Sequence, residues 1–225
     1  TPQASKIVAK IYNEQAPKFT GLIESTTRPF DSSDQASQFV KDVAIEAGAA
    51  AVGITRIEPA DVYEGRSVDE TYAIAIGQRM LWKHFQTVPS QESGVECCRV
   101  YYDLGETCIA VADALRQRGY PARVEDPVGN SDLMHVPIAL RAGFGELGRH
   151  GSIIHPHLGP LFRLGTVVTD LPMTCDEPVD LGIAEFCDRC QACRKYCPAD
   201  AIPKHRNLAA GVDPIGKARY VLDTG

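Results

Sequence analysis

No run of apolar residues in this chain comes near the roughly 18 needed to cross a bilayer as a helix. A helical span within these residues is therefore excluded, and a membrane anchor would have to come from elsewhere. Positive charge is also scarce: 23 Lys and Arg stand against 29 Asp and Glu, a net charge of −6. A broad basic face for nucleic acid is not expected. There is no internal repeat and no low-complexity segment, which leaves out solenoids and disordered tails. The opening TPQASKIVAK has neither an initiator Met nor the charged and apolar stretches of a signal, so a trimmed or processed start is expected. What is present is 225 residues with ordinary globular composition, enough for one large domain and a small appendage.

Cysteine is plentiful, and half of it is concentrated in CDRCQACRKYCP, residues 187–198. Cys187, Cys190, Cys193 and Cys197 stand at C-x2-C-x2-C-x3-C with Pro198 directly behind, the spacing of a bacterial 4Fe-4S site. Short gaps let soft thiolates point inward from one tight loop, which iron bound to sulfur needs. Structural zinc favours two separated C-x2-C pairs instead. Cluster assembly needs reduced thiols, so a cytoplasmic protein is expected, with an exported mature form as the alternative. A module with two clusters needs eight ligands, and the motif supplies four. Cys108 reads as a small buried hydrophobe on a helix face. Cys97 and Cys98 are adjacent, and Cys175 lies in a loop before the motif.

Upstream, Ser32 three residues before Gln35 marks a helix start, and Phe39, Val40, Val43, Ala44 and Ala47 recur at helical spacing. AAVGIT (50–55), TYAIAIG (71–77), PARVED (121–126), GSIIH (151–155) and RLGTVVTD (163–170) read as strands. A helix is expected from about Leu104 to Arg118, and another over DLMHVPIALRAG with Pro137 in its first turn. The expected architecture is α+β to about residue 172, followed by a Cys-rich module. GFGELG (143–148) matches a dinucleotide loop, but HVPIALRA before it reads as helix rather than strand. A glycine loop closely approached by another large cofactor is the better reading.

Taken together, the A-G-x-G-x-x-G-R loop, the G-P-x-x-R turn (159–163), the V-x-T-D-L-P strand end (167–172) and the G-I-x-x-F-C lead (182–187) resemble the corrinoid-dependent reductive dehalogenase family. The likeness covers most of residues 33–203. It implies a 1–32 N-terminal extension, a nitroreductase-like corrinoid-binding domain over 33–172, and a ferredoxin-like 4Fe-4S module over 173–225. It also implies a cobalamin with its lower base detached and two 4Fe-4S clusters. The first cluster would take Cys187, Cys190 and Cys193 with a fourth ligand from downstream, and Cys197 would serve the second. Those downstream cysteines are absent from this chain, so the module is expected to be incomplete. Epoxyqueuosine reductase is a related family, but its catalytic Asp would fall near Gly129, where no carboxylate stands.

Reductive dehalogenation needs a proton donor and a group that steadies the leaving halide. By resemblance these roles fall on a tyrosine at Tyr102 or Tyr101, with Tyr102 preferred, and on Asn130 and Arg163. Gly143, Gly145, Gly148 and Gly159 are expected where a corrinoid approaches the backbone, and Arg149 at a propionamide or phosphate. His135, His150, His155 and His157 read as loop residues or corrinoid lining, because alternate residues of an extended segment face opposite ways. The expected partners are a small halogenated organic and an electron donor such as a ferredoxin, flavodoxin or reductase. An epoxyqueuosine-type corrinoid reductase, or an electron carrier without corrinoid, are the alternatives.

Overall fold

The computed structural model describes residues 1–222; residues 223–225 of the expected cysteine module lie outside them. The main elements run α1 (Pro2–Lys10), α2 (Ser33–Glu46), β1 (Ala51–Arg56), β2 (Tyr72–Arg79), α3 (Trp82–Phe85), α4 (Gln91–Gln117), β3 (Ala122–Glu125), α5 (His135–Arg141), β4 (Glu146–Leu147), β5 (Ile153–Ile154) and β6 (Phe162–Thr169). The cysteine segment adds α6 (Ile183–Cys190), α7 (Ala192–Lys195), β7 (Asn207–Val212) and β8 (Ala218–Arg219). Helix and sheet are mixed, as expected.

The central sheet is antiparallel in the order β1-β2-β6-β3. Its two middle strands are covered on both faces, which explains why YAIAIG and GTVVT are nearly continuous apolar runs. Strand alternation divides them between two cores. Ile74, Ile76 and Val167 pack with α2 and α4 through Val40, Leu104, Val111 and Leu115. Ala73, Ala75 and Val168 face the other way, onto Ile138, Leu140 and Phe144 around α5. Gly165 leaves room for α4: a Cβ there would lie 2.8 Å from the Cys108 sulfur. Cys108 is fully buried, and burial pushes its thiol up to about 12.

Helix α2 begins as its sequence predicts, with the Ser32 hydroxyl accepting from the Gln35 amide at 3.1 Å. Helix α4 is longer than expected, 27 residues rather than about 15. Its start is fixed by Ser90, whose hydroxyl accepts from the Ser93 amide at 3.1 Å. The apolar pattern of its first three turns is sparse, which hid them in the sequence. Residues 1–32 lie along α4. Gln15, fully buried, donates to the Tyr102 carbonyl at 2.9 Å, and Arg116 donates to the carbonyls of Lys18 and Phe19. Strand β5 is shorter than GSIIH suggested, because the turns around it are closed by His150 and His155.

Candidate active site and cluster loop

Strand β6 enters the sheet at Phe162 and Arg163, directly opposite Arg79 and Gln78 of β2. Here a cavity of about 340 Å³ opens between the start of β6, the start of α5 and one face of α4. Met80, Tyr101, His135, Phe162, Arg163 and Leu164 are among its walls. Arg163 is the one charged side chain among the described residues that line it. Its guanidinium carbon lies 5.0 Å from the centre of the Tyr101 ring, and one of its nitrogens lies 3.5 Å from the Cys97 sulfur. Cys97 and Tyr101 are four residues apart on α4, so both project from one face toward Arg163. The Nε of Arg163 and the Oε1 of Gln78 are buried without a hydrogen-bond partner. Of the two, Arg163 lines the cavity, and an unpaired polar group in a cavity wall is what a bound polar ligand satisfies.

Of the two tyrosines, the structure places Tyr101 rather than the preferred Tyr102 beside Arg163. Neighbouring residues of a helix point about 100° apart, so only one of the two tyrosines can face Arg163. That one is Tyr101. The Tyr102 ring turns toward α1, where Lys10 Nζ lies 6.0 Å from its centre, and it borders a separate small pocket with Ile7 and Arg99. The Glu106 carboxylate, then burial, push the Tyr102 phenol up. Both tyrosines lie inside α4, in the part before Leu104 that the sequence left out of the helix.

Asn130 is not brought to Arg163. It sits exposed in the loop after β3 and accepts from Arg66 at 3.3 Å. Its neighbours Gly129 and Ser131 line a second cavity of about 350 Å³, which shares Pro127 and His135 with the first. Glu125, fully buried, pins this loop by accepting from Ser131 Oγ at 2.9 Å and the Asp132 amide at 2.7 Å.

His135 belongs to both cavities. Its Nε2 lies 3.4 Å from the Asp126 carbonyl, which can only accept, so Nε2 carries the proton. Nδ1 then accepts from Thr166 Oγ1 at 2.8 Å. Burial lowers the pKa of this imidazole, so it is neutral at pH 7. The unfolded chain, with an ordinary histidine pKa of about 6.5, takes up a proton that the native state refuses. Stability is therefore full above about pH 6.5 and falls as pH drops toward the lower folded value. Burial lowers His150 and His155 as well. Thermal unfolding should show a midpoint that declines below about pH 6.5, with a shallower decline in His135→Gln. An unchanged slope in that variant would place the titration on the other two histidines.

The glycine loop follows a helix and leads into the β4–β5 hairpin, so it lacks the strand–loop–helix frame of a dinucleotide site. Its glycines meet protein. A Cβ on Gly145 would lie 2.1 Å from the Ile154 carbonyl, and one on Gly143 would lie 2.9 Å from that of Glu177. Gly148 faces the His150 ring at 2.8 Å. Gly159 differs: its φ of +60° is left-handed, and nothing lies within 4 Å of a Cβ built there. Arg149 is placed against the cysteine segment, away from any open cavity, with its guanidinium on the carbonyls of Cys187, Pro203 and Lys204.

Helix α6 carries Cys187 and Cys190, and α7 carries Cys193. Gln191, with φ +51°, makes the left-handed turn between them. Burial first, then its neighbours Cys193 and Cys190, push the Cys187 thiol up. Cys193 and Cys190 are thus electrostatic neighbours of Cys187, and thiolates are the donor set an iron–sulfur cluster takes. The N-terminus of α6 has no side-chain cap of its own, and Glu146 of β4 replaces one by accepting from the amides of Leu181, Ile183 and Ala184. Glu146, Asp180 and Glu185 converge closely enough to suggest a metal site. Lys217 occupies the centre, 2.7 Å from Asp180 and 2.9 Å from Glu185, so this is an ion-paired strut for α6.

No protein-family model matches the chain. Tetrachloroethene reductive dehalogenase from Dehalobacter restrictus is 36% identical over 126 residues, 56% of this chain and 22% of that protein. A solved catabolic reductive dehalogenase in complex with 3-bromo-4-hydroxybenzoic acid superposes with a TM-score of 0.85 at 26% identity, over 98% of this chain and 33% of the other. The chain is a relative of the reductive dehalogenases. It spans about a fifth to a third of the length of these reductive dehalogenases. Epoxyqueuosine reductase from Escherichia coli is also similar, 36% identical over 75 residues, 33% of this chain and 19% of that protein. Among the described residues no helix is long and apolar enough to cross a membrane.

Proposed function

We propose that this chain belongs to a corrinoid- and iron–sulfur-dependent reductase that removes halide from a small organic compound. In this reading residues 33–172 form a nitroreductase-like corrinoid-binding domain, and 173–225 belong to a ferredoxin-like module. The reaction breaks C–X, forms C–H and releases halide, and it consumes two electrons and one proton. A corrinoid bound beside the pocket would supply the electrons to the carbon, and a 4Fe-4S cluster on Cys187, Cys190 and Cys193 would relay them from an external donor such as a ferredoxin, flavodoxin or reductase. Cys197 would serve a second cluster.

The observation that carries this reading is the pairing of Arg163 with Tyr101 in the pocket wall. Tyr101 borders the cavity and carries a transferable proton at its Oη. The guanidinium against its ring lowers the cost of the phenolate left behind. Arg163 is also the charge in the wall that can steady the departing halide. Met80, Phe162 and Leu164 offer apolar surface to a halogenated carbon skeleton, and a 340 Å³ cavity suits a small ligand. The open left-handed turn at Gly159 is where a corrinoid can approach the backbone, whereas Gly143, Gly145 and Gly148 are taken up by neighbouring protein. Asn130 is in reach only if its loop closes over the shared rim at Pro127.

An epoxide-reducing corrinoid enzyme is the second reading, favoured by the 75-residue match to epoxyqueuosine reductase. A net charge of −6 does not suit a tRNA substrate. The deciding measurement is the cobalt and iron content of protein purified without oxygen and reconstituted with cobalamin. One cobalt per chain, with the absorbance of a corrinoid whose lower base is detached, is the expected result. Iron without cobalt would leave an electron carrier and overturn the proposal.

A further inference from the structure

Arg149 is a cation in an unusual place. It is 1% exposed, yet no carboxylate among the described residues forms an ion pair with it. Its Nε and Nη2 both donate to the Cys187 carbonyl, at 3.2 and 2.7 Å. Its Nη1 donates to the carbonyls of Pro203 at 2.7 Å and Lys204 at 2.6 Å. The Tyr220 ring covers it, 4.2 Å from the guanidinium carbon. One side chain from the glycine loop thus grips the cysteine segment before its first ligand turn and after its last cysteine.

Burying a charge without a counter-ion is costly, and buried charges are paired or coordinate a metal. The carbonyl it grips belongs to Cys187, the first of the thiolates that can supply negative charge. Asp188, the adjacent carboxylate, is already held by Arg206 and by the Tyr220 hydroxyl. We propose that Arg149 is a positioning residue whose counter-ion is the iron–sulfur cluster itself. It fixes the Cys187 backbone, and its desolvated positive charge stabilises the reduced cluster, which carries one more electron than the oxidised form. Arg149 therefore raises the reduction potential of the cluster that feeds the domain it comes from.

This inference rests on the iron–sulfur half of the proposed function and is independent of the halide chemistry. The test is an EPR-monitored redox titration of the full chain, reconstituted with iron and sulfide without oxygen, as wild type, Arg149→Lys and Arg149→Gln. The Gln variant should titrate at a lower potential than wild type. The Lys variant should stay close to wild type in potential but lose iron faster to a chelator, because an ammonium cannot span the same carbonyls. A Gln variant with the wild-type potential overturns the proposal. Should that variant fail to fold, Tyr220→Leu tests the same charge by admitting water to the guanidinium: the potential should again fall, and an unchanged value overturns the idea. Wild-type protein that takes up no iron would instead strike the cluster reading itself.

Discussion

Tyr101→Phe should lower turnover of a halogenated substrate by about 10²–10⁴-fold, the usual worth of a positioned proton donor, while Tyr102→Phe should turn over at close to the wild-type rate. The two rings stand side by side in sequence, but only that of Tyr101 meets Arg163 and the cavity. The phenylalanine ring keeps the packing against the guanidinium and removes only the transferable proton. Corrinoid and iron content should therefore match wild type, and the loss should appear in the rate of a single turnover with chemically reduced protein. Arg163→Ala should be at least as damaging, because it removes both the charge behind the phenolate and the cation facing the halide. The reverse ranking, with Tyr102→Phe inactive and Tyr101→Phe active, would place the proton path on the α1 side of α4 and sink the assignment.

Gly145→Ala is expected to destabilise the protein by more than about 3 kcal/mol even without cofactors, since its Cβ would collide with a backbone oxygen that cannot step aside. The collision distance is 2.1 Å, to the Ile154 carbonyl of the paired strand, and the φ of +137° adds strain. The hairpin that would be pushed apart carries Glu146 and leads to Arg149, the two side chains that hold α6. Iron retention should fall together with the unfolding midpoint. Gly159→Ala should behave differently. Its left-handed φ costs roughly 1 kcal/mol for alanine, but no atom stands in the way. Its effect should appear chiefly as weaker uptake of cobalamin. A Gly159→Ala protein that binds cobalamin as tightly as wild type would remove that turn from the corrinoid site.

Much of this molecule could be read from residue order alone. The cysteine spacing marks a candidate cluster site because ligation chemistry is local: four soft donors in eleven residues have few other uses. The central strands were legible because burial on both faces leaves an apolar run. Helix α2 declared itself through Ser32 and its periodic face. Arg163 and the tyrosine pair could be named as candidates through their resemblance to a family, together with the loop that carries Asn130.

Tertiary structure decided the rest. Which tyrosine faces the pocket depends on the rotation of α4, which is fixed by its packing on the sheet through Leu104, Val111 and Leu115. The glycine loop looked like a place for a ligand, but three of its glycines turn out to admit neighbouring backbone or a histidine ring, a contact made with residues that only the fold brings near. Arg149, beside that loop, reads in sequence as a contact to a corrinoid propionamide or phosphate. Its burial against the Cys187 carbonyl, 38 positions away in sequence, follows from packing the β4–β5 hairpin on α6. Local spacing specifies what a segment can bind, because donor atoms and periodic faces are properties of neighbours in the chain. Long-range packing specifies which of those groups meet, because a helix rotation or a hairpin crossing is fixed by contacts far apart in sequence.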